Sequence, residues 1–375
     1  MSLVLTRSPY SIYESVGTDL SGKLTITINA SIVYTIVKNN TDPSNVIFWE
    51  VSELIRDYIS FRYEGGTLPL FQQGIIEVTI NTYSYTGENG TGTETALNTY
   101  TFDASEGYSY HNEGYNFTST RGVMVTNDTI YRPNDEIVRI PIFPDDVTSY
   151  TFLNKGEIVF SGTPISTAGA YFDYVTITDN LFDYYQTNYR ERVLQDGGVV
   201  EESRCLTEFF DSVDYGEVDQ VYFDTTDGIQ ILDIKTIEEC KYTPLKVSFI
   251  NRWGALQDVW FFKKSVESME IKKENFKSLD ITPIGSWKTQ RHINQDYNIV
   301  SNSKIKLNTG YVDESYNEVM RELMQSEKVW LNMDDKIEPI NVDTKSLTFK
   351  TSLNDKLVEY GIDISFSYND INEIR

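Results

Sequence analysis

Alternation between apolar and polar side chains runs through most of the chain and predicts β-strands. From Lys23 to Lys38, β-branched and other apolar residues recur at every second position, which is the period of a strand with one buried face. The same period returns in residues 75–85 and 100–102, on either side of the polar, glycine-rich segment 86–92. That arrangement predicts a hairpin whose loop extends outward. The pattern as a whole predicts a mainly β fold.

Two segments break this alternation and predict amphipathic helices. Apolar residues recur every three or four positions from Val51 to Ile59 and again from Val312 to Leu323. This spacing gives each helix one apolar stripe that faces a core. We therefore expect a mainly β (α+β) chain whose β-rich domains each carry one helix.

The order of the predicted elements divides the chain into three regions. They are an N-terminal β-rich domain, 1–145, with its helix near 51–60; an inserted middle β region, 146–215; and a C-terminal β-rich domain, 216–375, with its helix near 312–325. The first boundary follows Pro141 and Pro144, because proline cannot donate to a strand ladder and favours a short edge strand. Both ends share the order strand, helix, strand, strand, which suggests two copies of one unit.

One predicted hairpin is especially rich in aromatic residues. Strands at 246–250 and 257–262 are joined by the turn Asn251-Arg252-Trp253-Gly254. Alternation places Trp260 on one face of the second strand and Phe261 on the other.

Charge narrows the classes of function. The 375 residues include 32 Lys+Arg and 56 Asp+Glu, a net charge of −24, and 13% are aromatic. The aromatic content argues against a disordered polyacid, and the acidity argues against a protein that reads nucleic acid, because that affinity comes from Lys and Arg. The charge is uneven: residues 1–240 carry −23, residues 241–310 carry +6, and residues 311–375 carry −7.

The residue types that common catalytic and metal sites need are scarce. Cys205 and Cys240 lack a CxxC spacing, and neither His111 nor His292 lies beside a nucleophile motif, so no zinc site, Ser-His-Asp site or cofactor is predicted. The segment Asp224–Gly228 has oxygen ligands but not the twelve-residue loop of an EF-hand, and predicts a turn. A glycosidase pair among the many acids stays open.

Three tyrosines in a polar loop form a candidate surface-contact site. Tyr108, Tyr110 and Tyr115 surround Glu113-Gly114 without a core periodicity. Tyrosine is common both in sugar-stacking platforms and at protein interfaces, so the partner, glycan or protein, stays open.

Three stretches of sequence resemble a known family. They are the Lys-Tyr-x-Pro, Phe-x-Asn-Arg-x-Gly, aromatic-Phe-Lys-Lys run at 241–264; the Leu-Asn-Thr-Gly, helix, Leu-x-x-Ser, Val-aromatic-Leu block at 307–331; and Arg7-Ser8-Pro9-Tyr10 with the helix near 51–60. Together these cover about a third of the chain. They resemble structural virion proteins of tailed phages that infect Bacteroidetes-type hosts, the crAss-like phages included.

The resemblance implies a non-enzymatic virion protein of the neck or tail. It would have tail-tube-like β-sandwich or β-barrel domains and form a homo-oligomeric ring of six or twelve copies with other neck and tail proteins, around the channel through which DNA and cargo proteins leave. DNA would pass without being specifically bound, since an acidic wall repels it. The start of the chain shows no secretory signal and no apolar run spans a bilayer, so we expect synthesis in the host cytoplasm, no membrane segment and a place in the virion.

The basic segment 241–310 is the candidate subunit interface. In a head-to-tail ring it would meet an acidic face of the neighbouring copy. The residues expected there are Arg252, Trp253, Lys263, Lys264, Lys272 and Lys273.

Two other functions stay open on the sequence alone. One is a receptor-binding, adhesin-like tail protein that holds glycan with the loops in 103–131, and the other is a glycan-degrading enzyme. Within a tail, the sequence also leaves open a distal hub, a tube-like layer or a ring near the portal.

Overall fold

The structure is a computed structural model, and it describes residues 3–61, 63, 74–116, 122–134, 136–164, 173–177, 218–278, 285, 289–290, 292–333, 336–349 and 357–370. It confirms the mainly β fold: several sheets account for most of the described chain, and helix for little of it.

Strands and α-helices are numbered in chain order. The strands are β1 (Leu3–Leu5), β2 (Ser11–Ser15), β3 (Ser21–Ile28), β4 (Ser31–Asn39), β5 (Val46–Glu50), β6 (Ile75–Tyr85), β7 (Glu94–Ser105), β8 (Thr129–Pro133), β9 (Val138–Ile142), β10 (Val147–Asn154), β11 (Glu157–Gly162), β12 (Asp173–Ile177), β13 (Gln220–Thr225), β14 (Gly228–Ile237), β15 (Leu245–Ile250), β16 (Leu256–Phe261), β17 (Val266–Lys277), β18 (Asn294–Asp313), β19 (Val329–Met333), β20 (Lys336–Val342) and β21 (Leu357–Phe366). The α-helices are α1 (Ser52–Arg56) and α2 (Tyr316–Gln325).

The chain divides into two compact units. The first unit contains residues 1–238 and 249–259, and the second contains 239–248 and 260–375. This division keeps residues 218–238 in the first unit, whereas the sequence pattern places them at the start of the C-terminal domain. The cause is strand pairing, because β13 forms antiparallel ladders with both β10 and β14.

The first unit begins with a five-stranded sheet in the order β1-β7-β6-β3-β4, covered by the β2–β5 ribbon and α1. Gly22 of β3 lies directly beneath this ribbon, because a Cβ there would lie 3.0 Å from the ring of Trp49. Helix α1 is shorter than predicted, since the amides of Tyr58 and Ile59 bond three residues back. The apolar stripe is kept all the same: Val51 and Ile55 are fully buried.

A second five-stranded sheet of the first unit has the order β11-β10-β13-β14-β8, and a separate pair joins β12 to β9. The hairpin of β13 and β14 turns at Gly228, with φ of 121°, as its sequence predicts. The rings of Phe152 and Phe223, both fully buried, pack with Tyr150 into an aromatic core.

The second unit contains helix α2 and the neighbouring sheet strands β19-β20-β21-β18-β17, in that order. Val319, Met320 and Leu323 of the helix are buried, as its apolar stripe predicts. Val312 does not belong to that helix, contrary to the sequence pattern. It lies at the end of β18, paired with Val358, because the strand continues to Asp313.

Two further predictions need correction. The loop at 86–92 folds back instead of extending outward, since the Gly87 carbonyl accepts a hydrogen bond from Ser21 Oγ at 2.6 Å.

The second correction concerns the proposed repeat. After α1, strand β6 pairs with the first strand of the preceding hairpin, β3. After α2, the strand that pairs with the preceding hairpin is β21, and it pairs with the second strand, β18. The connectivity differs, so the two ends are not copies of one unit.

Candidate functional site

The turn between β15 and β16 is built around one buried side chain, Asn251. Its Oδ1 accepts hydrogen bonds from the amides of Trp253 at 3.0 Å and Ala255 at 3.1 Å. Its Nδ2 donates to the Met124 carbonyl at 2.7 Å. Gly254 then takes a φ of 84°, which a residue with a side chain adopts only with strain. These contacts fix the shape of the turn.

This turn lies directly against the loop that follows β7. The Tyr108 amide donates to the Arg252 carbonyl at 2.7 Å, and Ser105 Oγ donates to the Trp253 carbonyl at 2.7 Å. The two backbones approach so closely that a Cβ on Gly107 would lie 2.5 Å from the Arg252 carbonyl oxygen. The first unit therefore holds turn and loop together through their main chains.

Arg252 adds a charged and aromatic clamp to this contact. Its Nη2 donates to both carboxylate oxygens of Glu113, at 2.8 and 2.9 Å. Its guanidinium lies 4.7 Å from the ring centroid of Tyr110 and 4.9 Å from that of Trp253. The Glu113 carboxylate also accepts from the Tyr110 amide at 2.8 Å. We call this group of four side chains the Arg252 clamp.

Side-chain exposure in the clamp is low, 11% for Arg252 and 26% for Glu113. A partly buried, charge-assisted pair is stronger than an exposed surface pair. Cation–π contacts with desolvated aromatic rings add to it. The clamp thus has the chemistry of a structural lock.

The Arg252 clamp brings together some residues of the candidate subunit interface and some of the candidate tyrosine loop. Arg252 and Trp253, from the predicted interface, contact the tyrosine loop of the same chain, where Tyr108 is 8% exposed. Tyr115 is the outlier, with 65% of its surface exposed. The sequence offers no signal for this pairing, because the partners are far apart along the chain.

The predicted lysines lie in the second unit. Lys263 donates to Glu239 at 2.6 Å, and Lys264 is exposed. Lys272 and Lys273 lie on β17, where Lys273 contacts Asp296 at 3.3 Å. Their side chains are 77% and 48% exposed, so they are available to a partner.

A buried ion pair in the first unit is missed by the sequence reasoning. Arg139 donates through Nε to Asp258 Oδ2 at 2.8 Å and through Nη2 to Oδ1 at 2.6 Å, and both side chains are at most 3% exposed. Arg139 Nη2 also donates to the Tyr63 hydroxyl at 3.0 Å. Burial raises the pKa of nearby Tyr174, whose hydroxyl accepts from the Leu256 amide at 3.1 Å. A single charge inside each of two apolar strands is the signal that could have suggested a pair.

Metal-ligating side chains do not cluster in the described part of the chain. No three His, Cys, Asp or Glu side chains there are grouped to hold a metal ion. Both His111 and His292 are exposed, the former in a 3₁₀ turn, His111–Glu113. Neither α-helix of the described residues has the length and apolar character to span a bilayer.

Comparison with known proteins adds no assignment. No protein-family model matches the chain, and no curated protein matches its sequence.

Proposed function

We propose that the chain is a structural virion protein of a tailed bacteriophage, part of a neck or tail ring or a tail hub around the DNA exit channel. The observation that supports this most is the role of the residues that carry the family resemblance. Within the Phe-x-Asn-Arg-x-Gly motif, Asn251 shapes the turn, Arg252 closes the clamp and Gly254 allows the close approach. A motif used entirely for architecture fits a protein whose work is assembly.

The tyrosine loop favours the same proposal over a receptor-binding protein. A sugar-stacking platform needs exposed aromatic faces. Tyr108 is buried, and Tyr110 stacks on Arg252, so these rings serve the fold.

The exposed sheet edges give the proposal its assembly surface. In the described residues, β4 and β17 end their sheets, and most of their side chains are exposed. Unpaired edges bind other strands readily. A ring of six or twelve copies would use such surfaces, with the basic segment 241–310 against an acidic face of the next copy.

Location in the particle tests this function. Mass spectrometry of purified particles of the phage that encodes the chain should detect it, and gold-labelled antibodies should mark the neck or tail. Negative-stain images of the purified assembly should show closed rings. Absence from the particle would overturn the proposal, and label at fibre tips would support an adhesin instead.

A further inference from the structure

Strand β17 is an edge strand of unusual exposure. It ends the sheet of the second unit and pairs only with β18 in the described chain. All twelve of its residues are exposed. In an antiparallel ladder every second residue directs its N–H and C=O away from the paired neighbour, so about half of the residues of β17 present unpaired backbone groups.

The backbone of β17 is regular along its length. Lys272 opposes Val300 and Glu274 opposes Tyr297, so the extra residue of the bulge lies in β18, where Asn298 has a positive φ of 50°. Even-numbered residues of β17 therefore share one face and odd-numbered residues the other. A second strand could pair along its whole outer edge.

The sequence of β17 is complementary to itself when read in the opposite direction. Consider two antiparallel copies of β17 related by a two-fold axis perpendicular to the sheet. Directly opposed residues must lie on the same face of the sheet, so the axis passes where one residue opposes its own copy. With Ile271 on the axis, Glu270 opposes Lys272 of the other copy and Val266 opposes Phe276. Opposed opposite charges and apolar pairs stabilise neighbouring strands.

Registers with the axis at 270, 272 or 273 place like charges opposite each other, which destabilises directly facing positions. An axis through Glu270 opposes that carboxylate to itself, although it also opposes Glu267 to Lys273. An axis through Lys272 opposes that lysine to itself and Glu270 to Glu274. An axis through Lys273 opposes that lysine to itself. Of these four registers, the one centred on Ile271 is therefore the register that opposes opposite charges and no like charges.

Contacts already present in the chain fit this pairing. Glu270 accepts from Lys304 of β18 at 2.7 Å and lies 3.7 Å from Lys272 of its own strand, so a second copy would add its Lys272 to the cations around this carboxylate. On the opposite face, Met269 is 59% exposed and Ile271 is 50% exposed. At the axis, the Ile271 side chains of the two copies would contact and shield each other from solvent.

We propose that β17 is a self-pairing strand, through which two copies of this chain form one continuous antiparallel sheet with Ile271 on the two-fold axis. The contact is isologous and rests on β17 alone, so it does not depend on the proposed virion function. It occupies the β17 edge, so head-to-tail contacts in a ring would use the β4 edge instead. A contact of one strand is small, and we expect the dimer to form in a concentration-dependent way.

Charge exchange between two chains tests the partner and the register. Sedimentation velocity of the full chain should show a monomer–dimer equilibrium. Glu270→Lys alone, or Lys272→Glu alone, should raise the dissociation constant about tenfold or more, since each opposes like charges twice. An equimolar mixture of the two variants should recover dimer, because every such contact is then between opposite charges. Failure of the mixture to recover dimer overturns the proposal.

Cysteine cross-linking tests the axis itself. In a chain with Cys205 and Cys240 replaced by serine, Ile271→Cys should form a disulfide dimer under mild oxidation, since directly opposed Cβ atoms lie about 5 Å apart. Ser268→Cys is the matched control, because its two copies would lie about 20 Å apart along the strands. Cross-linking at 268 but not at 271, or a wild-type chain that stays monomeric at all concentrations, would refute the pairing.

Discussion

Arg252 and Glu113 are 139 residues apart in the sequence, yet one guanidinium nitrogen donates to both carboxylate oxygens at 2.8 and 2.9 Å. The ion pair joins the β15–β16 turn to the tyrosine loop of the first unit. Because the Tyr108 amide donates to the Arg252 carbonyl, side-chain and backbone contacts lock the same two segments. Loss of the clamp should therefore loosen both.

Arg252→Ala should lower the free energy of unfolding of the first unit by about 2 kcal/mol, because it removes a partly buried ion pair and two cation–π contacts. Arg252→Lys should recover only part of this, since an ammonium lacks the planar face. Urea unfolding gives the stability, and hydrogen exchange at the Tyr108 amide reports the loop. Lys264→Ala, at an exposed position, should change stability by less than about 0.5 kcal/mol. Unchanged exchange at Tyr108 in Arg252→Ala would contradict the clamp.

Gly107→Ala should destabilise the first unit by about 3 kcal/mol, because the new Cβ meets atoms that cannot move away easily. It would lie 2.5 Å from the Arg252 carbonyl oxygen and 2.8 Å from the Trp253 carbonyl carbon. Gly156→Ala is the comparison: its φ is +84° and nothing lies within 4 Å of its Cβ, so it should cost about 1 kcal/mol from backbone strain alone. Thermal unfolding of the two variants separates close contact from strain, and equal losses would argue against a docked turn.

The sequence predicts those parts of this fold that depend on local order. Period-two alternation locates β3 and β6 because every second residue of each strand lies on a buried face, and this pattern is visible in consecutive residues. The same local logic finds Val319 and Leu323 on α2. It fails at Val312, because a strand and a helix can both bury a single apolar residue, and only pairing with β21 decides between them.

The candidate site depends on pairs that local patterns cannot reveal. The sequence singles out Arg252, Trp253 and Tyr110 as candidate contact residues, but their mutual contact comes from the path of the chain between them. Burial of Arg139 is likewise decided by Asp258, 119 residues away. Self-complementarity within β17 is the exception, because both halves of the pattern lie in twelve consecutive residues.

Removal of one partner from the buried pair Arg139–Asp258 should be far more costly than removal of both. Asp258→Asn alone leaves the buried positive charge of Arg139 unpaired, and Arg139→Met alone leaves the buried negative charge of Asp258 unpaired. We expect each to lower the free energy of unfolding by about 3–5 kcal/mol. The double variant should lose clearly less than the sum, which a double-mutant cycle by urea unfolding measures. Strictly additive losses would mean that the pair does not interact in the folded chain. Equivalent substitutions at the exposed pair Lys273–Asp296 should change stability by less than about 1 kcal/mol.

Stability of the first unit should fall as pH rises through 6, because of Asp103. Burial, and then the nearby carboxylates of Asp145 and Glu77, raises the pKa of this group to about 6. The unfolded chain releases the proton at a lower pH, so between about 4 and 6 the folded chain binds more protons, and stability decreases with pH across that range. Asp103→Asn should flatten this decrease and make the chain more stable than wild type at pH 7.5, as measured by urea unfolding between about pH 4 and 7.5. Glu157→Gln removes the same charge from an exposed position and should leave the slope unchanged; a slope that survives in Asp103→Asn would assign the effect to another group.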